Sequence, residues 1–196
     1  MTRLTVPSPA ARSGALRPAV RSAQRSAAPG GLELSARLRA IIFLAGAGMT
    51  LASAFALFRG LTGLAPAHTN ARELAIIIHV ASVLPAIPLG ACLLLAQKGT
   101  ALHKRLGRLW VGLMVMTALS AIFIRWDGGL QFGISPIHLF VPMTLWASFK
   151  LVRAARAGDM KTHRSEILSL YLGALMIPGL VAFVWEGRLM NVWLFG

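Results

Sequence analysis

Apolar and polar residues follow one another along this chain in long blocks. Residues 74–96 form 23 consecutive positions without Asp, Glu, Lys or Arg, and only His79, Ser82 and Cys92 interrupt their apolar character. A helix needs about 20 apolar residues to cross a bilayer, so this block is long enough to span one. It is followed by a basic loop, residues 97–108, and an apolar return segment, residues 103–124. Residues 41–58, 128–149 and 167–185 are further uncharged blocks of 18, 22 and 19 positions. The pattern predicts an all-α fold, an integral membrane bundle of five transmembrane helices. The spans fall at about 41–58, 74–96, 103–124, 136–152 and 164–185, within one domain covering residues 40–196.

Local signals punctuate these blocks. Asn70 to Glu73 reads as an N-cap with its acidic partner three residues on, opening the second span. Pro85 and Pro88 predict a kink within it. Thr100 is the expected cap of the third helix, with His103 in its first turn. Ser135-Pro136 predicts the start of the fourth, with His138 in its first turn and a bend at Pro142. Ala157-Gly158-Asp159 breaks that helix, and Asp159 or Thr162 caps the fifth. Gly46, Gly48, Ala52, Ala54 and Ala56 give the first span a small-residue character suited to close packing in the bundle.

Residues 1–39 belong to another class. Seven arginines alternate with Ser, Ala, Pro and Gly around a single acid, Glu33, which predicts a disordered basic tail. The same bias occurs in organellar transit peptides, but an arm lying near anionic lipid is the simpler reading. Ala54-Phe55-Ala56 has the form of a signal-peptidase site; the long basic region before it and the spans after it favour a retained anchor.

Charge then orients the chain. The tail and the segments 97–108 and 150–164 hold 7, 4 and 5 Lys or Arg, whereas the alternate segments hold only Arg59 and Arg72, Arg125, and Arg188. Positive residues stay on the cytoplasmic side, so the N-terminus is expected in the cytoplasm and the C-terminus outside. The net charge of +14 is accounted for in this way and predicts no nucleic-acid partner. A hydrophobic content of 56% with 13% charged residues fits the same membrane class. Cys92 is the sole cysteine, which excludes an intrachain disulfide, a CxxC pair and an iron–sulfur motif.

Four of the five histidines fall into two layers under this topology. His79 and His138 lie near the outer face, His103 and His163 near the inner one, with spacings of 24 and 25 residues within the two hairpins. Facing imidazoles at one depth of a bundle can ligate a haem iron. A ligating imidazole is neutral, and the positive end of a helix disfavours imidazolium, which suits His103, His138 and His163 in first turns. Gly107 would leave room for a flat macrocycle, and Arg105, Arg108, Arg153 and Arg164 inside, with Arg125 outside, could pair with propionates. The same histidines could equally be interfacial loop residues, cap completions or packing contacts. His68, in an outer loop, is expected to be solvated.

The runs His103-Lys104-Arg105-Leu106-Gly107-Arg108-Leu109-Trp110, Ser135-Pro136-Ile137-His138-Leu139 and Ala154 through Arg164, with Gly187-Arg188-Leu189-Met190, resemble the bacterial predicted membrane proteins grouped as domain of unknown function 2306. The resemblance covers roughly residues 74–191 and implies a multi-pass protein of the bacterial inner membrane with no assigned activity. A weaker likeness is to the ascorbate-reducible transmembrane di-haem cytochromes b, in which four consecutive helices each give one histidine. It would pair His79 with His138 and His103 with His163, although three of these four stand in first turns, nearer the interface than a buried haem prefers.

Two functions follow as expectations. One is a haem-b electron carrier in the bilayer, working between a quinone or other membrane redox partner and an acceptor. The other is a cofactor-free accessory or assembly subunit of a membrane complex. A transporter is disfavoured on the expectation that no span contains an acidic residue to couple ions or protons. No hydrolase or transferase motif is present. Oligomeric state is not legible.

Overall fold

A computed structural model describes residues 34–125 and 136–196. The expected cap at Ser135, the outer-loop glycines and nearly all of the basic tail lie outside these residues. The described residues are helical: α1 (Ala36–Thr62), α2 (Leu74–Leu95), α3 (Ala101–Ala121), α4 (Phe140–Ala157), α5 (Met160–Val184) and α6 (Leu189–Phe195). Consecutive helices pack pairwise from α1 to α5, most extensively α2 with α3, and the middle of α5 returns against α2 to close the bundle. Among the described residues α1, α2 and α5 are long and apolar enough to cross a membrane. Phe43, Leu44, Leu51 and Phe55 on α1 stay exposed, as side chains that face lipid would.

Several helix ends follow their predicted chemistry. Thr100 accepts the His103 N–H at 3.0 Å and caps α3, and Asp159 accepts the Thr162 N–H at 3.0 Å and caps α5. Gly158 ends α4 at φ +73°, a left-handed position natural to glycine. Others depart from it. Residues Thr69–Arg72 form a separate 3₁₀ turn capped by His68, while Glu73, without a side-chain capping bond, precedes α2. Asn70 is therefore inside a turn, its N–H held by the His68 ring, and is no helix cap. Pro136–Leu139 likewise forms a 3₁₀ turn, so His138 precedes α4 rather than opening it. Pro142 sits in the first turn of α4, where its missing N–H has no helical acceptor to lose. α2 runs as one helix through Pro85 and Pro88.

Two features are new. Ser169–Met176 winds as a π-helix within α5, and α6 folds back over the C-terminal end of α1. A Cβ at Gly60 would lie 2.3 Å from the Trp193 ring, so only glycine lets that indole seat there. The Arg59 guanidinium fixes the same junction through the carbonyls of Leu194, Leu64 and Gly196. At the bundle centre Trp110 and Tyr171 are fully buried over Gly90, with Tyr171 also against Gly46. The small residues of α1 act as expected at Gly46; beside Gly48 there is open space.

Candidate functional site: histidine layers and a buried ion pair

His79 projects from α2 toward the C-terminal half of α3. Its Nδ1 lies 3.0 Å from the Thr117 carbonyl and 3.2 Å from Ser120 Oγ. A carbonyl can only accept, so Nδ1 carries the proton and Nε2 keeps its lone pair. Ser120 donates its own hydroxyl proton to the Met116 carbonyl at 2.8 Å, which leaves its oxygen free to accept from His79. Thr117 Oγ1 donates to Ser82 Oγ at 2.9 Å, and Ser82 donates to the Ile78 carbonyl at 2.8 Å. His79 thus stands in a hydroxyl-lined seam between α2 and α3 that fixes its ring and tautomer.

His138 is attached to the segment that follows α3, through an Nε2 donation to the Ile124 carbonyl at 3.1 Å. His103 and His163 are close enough to influence one another electrostatically. His163 Nδ1 makes a long contact of 3.4 Å to the Leu151 carbonyl, and His103 Nδ1 is buried without a partner. His68 is not simply solvated: its Nε2 donates to the Gly187 carbonyl at 3.0 Å, tying the loop before α2 to the loop before α6.

Arg105, Arg108, Arg125 and Arg153 are exposed, and Arg164 is half-buried. A Cβ added at Gly107 would meet nothing within 4 Å. Among the described residues no three His, Cys, Asp or Glu side chains converge as a metal site would require.

One charged pair escaped the sequence reading. Glu166, 9% exposed, is ion-paired with Lys150 of α4. Because Asp159 starts the helix, Glu166 falls in the second turn of a 25-residue apolar helix. The predicted fifth span, residues 164–185, contains Glu166, so the expectation that no span holds an acidic residue fails at this position. The signal was the capping aspartate itself, which sets the helix start seven residues earlier.

No curated protein and no solved structure matches the chain. The family described as "Predicted membrane protein (DUF2306)" matches residues 76–190, more than half of the chain, and takes in nearly all of α2 to α5 with His79, His103, His138 and His163. The all-helical fold, the apolar helices and this match together place the chain in that family of predicted membrane proteins.

Proposed function

We propose that this protein is a five-span protein of the bacterial inner membrane, N-terminus inside, that carries electrons through haem b held in its outer histidine layer. The observation that carries the reading is the state of His79. Its Nδ1–H is fixed on the Thr117 carbonyl and its Nε2 lone pair is left available within the bundle, as an axial ligand requires. His138 is the candidate opposite ligand; binding through Nε2 would require it to release the Ile124 carbonyl. The fit is thus good at His79 and conditional at His138. Bound haem would supply a one-electron couple near the outer face, and Ser120 and Thr117 would hold the His79 ring in register. A membrane quinone is the natural class of partner.

The alternative is a cofactor-free accessory subunit. It is favoured by the carbonyl partners of His79, His138 and His163, each of which serves packing without a ligand. Absorption spectra of the purified full-length protein, air-oxidised and dithionite-reduced, separate the two. A Soret band with sharp reduced α and β bands, lost in His79→Ala, is expected. A featureless spectrum after expression with ample haem refutes the cytochrome reading.

A further inference from the structure

A buried hydroxyl without a hydrogen-bond partner is costly, and native folds rarely keep one. Tyr171 keeps one: the residue is 0% exposed and its Oη has no partner. The hydroxyl lies against Gly46 of α1, where an added Cβ would fall 2.5 Å from it. Gly46 has no acceptor to offer. Its carbonyl takes the helical N–H of Thr50 and, at 2.7 Å, the Thr50 hydroxyl, which uses both lone pairs. The ring crosses Gly90 of α2 beside Trp110, whose indole N–H is committed to the Ala86 carbonyl. Tyr171 also belongs to the π-helical stretch of α5, a winding frequent at functional sites.

The surroundings define what this hydroxyl can bind. Gly46, Gly90, Ala91 and Trp110 carry no charge, so an anion would stand there unpaired and the acceptor has to be neutral. Eleven residues separate Tyr171 from Met160, the first of 25 in α5, or about 16 Å along the axis. That depth is near the middle of a hydrocarbon core of about 30 Å, beyond the reach of ester carbonyls at the interface. The seam between α1 and α2 is made here of Gly46 and Ala91, and Ala91 is part-exposed, so small side chains line the way from the bilayer. A quinone ring carbonyl meets these terms, being a neutral acceptor on a flat molecule dissolved in lipid. We propose that Tyr171 is the hydrogen-bond donor of a quinone-binding site entered between α1 and α2. Its hydroxyl finds on the quinone the acceptor that the protein does not supply. The site rests on the electron-carrier reading for its purpose alone; the binding itself needs no haem at His79.

Binding of a decyl-substituted benzoquinone to the full-length protein in lipid nanodiscs is the test. Saturable quenching of tryptophan fluorescence, above the linear quenching by quinone dissolved in lipid, reads the affinity. Infrared difference spectra with isotope-labelled quinone carbonyls read the bond. A saturable site with one carbonyl band shifted down is expected. Tyr171→Phe should abolish the shift and weaken binding about fivefold, the worth of one neutral hydrogen bond. Because the hydroxyl has no partner to lose, empty Tyr171→Phe protein should unfold no earlier than the unaltered protein. No saturable component, or equal affinity in the two proteins, overturns the proposal. So does earlier unfolding of Tyr171→Phe, which would reveal a structural partner, or an unshifted carbonyl band, which would leave only a water on the hydroxyl. The band in the unaltered protein decides the matter even if the variant folds poorly. A Soret band without quinone binding would remove this site and keep the electron carrier; quinone binding without a Soret band would do the reverse.

Discussion

Gly90→Ala is the most incisive perturbation of this bundle. A Cβ at Gly90 would lie 2.5 Å from Tyr171 Cδ2, 2.8 Å from its Cε2 and 2.8 Å from Trp110 Nε1. Carbon contacts settle at about 3.5–4.0 Å, so both rings must retreat by about 1 Å. Neither can do so freely, since both are fully buried. Retreat would also stretch the 2.9 Å bond from Trp110 Nε1–H to the Ala86 carbonyl beyond its useful range. Overpacking costs about 1–3 kcal/mol and the lost hydrogen bond about 1 kcal/mol, offset by about 1 kcal/mol from replacing glycine in a helix. The expected net loss is about 1–3 kcal/mol. Gly107→Ala, with open space around its Cβ, supplies the control and should be neutral or slightly stabilising. Reversible unfolding in mixed micelles, titrated with a denaturing detergent, measures both. A companion pair locates the strain. At Gly46 the added Cβ would strike the Tyr171 hydroxyl at 2.5 Å, so Tyr171→Phe should relieve Gly46→Ala but not Gly90→Ala, where the ring itself is struck. Equal stability of Gly90→Ala and Gly107→Ala would refute the packing described for the core.

Two other outcomes are expected. Gly60→Ala should lift α6 from α1, because the new Cβ would fall 2.3 Å from Trp193; faster tryptic cleavage at Arg188 reads this, and an unchanged rate would contradict the docking. The cap of α5 should be pH-sensitive. Hydrogen bonds from the Thr162 side chain, and then from its backbone N–H, hold the Asp159 carboxyl below its ordinary value. A lowered folded value means the cap contributes fully above about pH 4 and is lost as pH falls below it. Exchange of the Thr162 amide, slow at neutral pH and fast in acid beyond the intrinsic trend, would register the loss; exchange that follows the intrinsic trend alone would count against it.

Much of this protein is legible in its sequence, because the bilayer enforces a simple code. Long uncharged runs at residues 41–58, 74–96 and 167–185 become α1, α2 and the apolar part of α5, since a backbone in hydrocarbon must satisfy its own hydrogen bonds. Thr100, Gly158 and Asp159 act as written, because capping and a left-handed glycine are decided within a few residues. Tertiary structure decided the rest. Whether Asn70 caps a helix depended on the His68 ring, which itself reaches Gly187, 119 residues away. The π-helical turn of α5 and the seat of Tyr171 against Gly46 and Gly90 depend on three helices meeting, which no local pattern encodes. The histidine positions could be read in order along the chain, but their chemistry could not. His79 is held by Thr117, 38 residues on, and His138 by Ile124, so the orientation of each ring is set by a carbonyl of another segment. Glu166 shows the same division: the sequence supplied a carboxylate at a helix start, and only packing against Lys150 enclosed it.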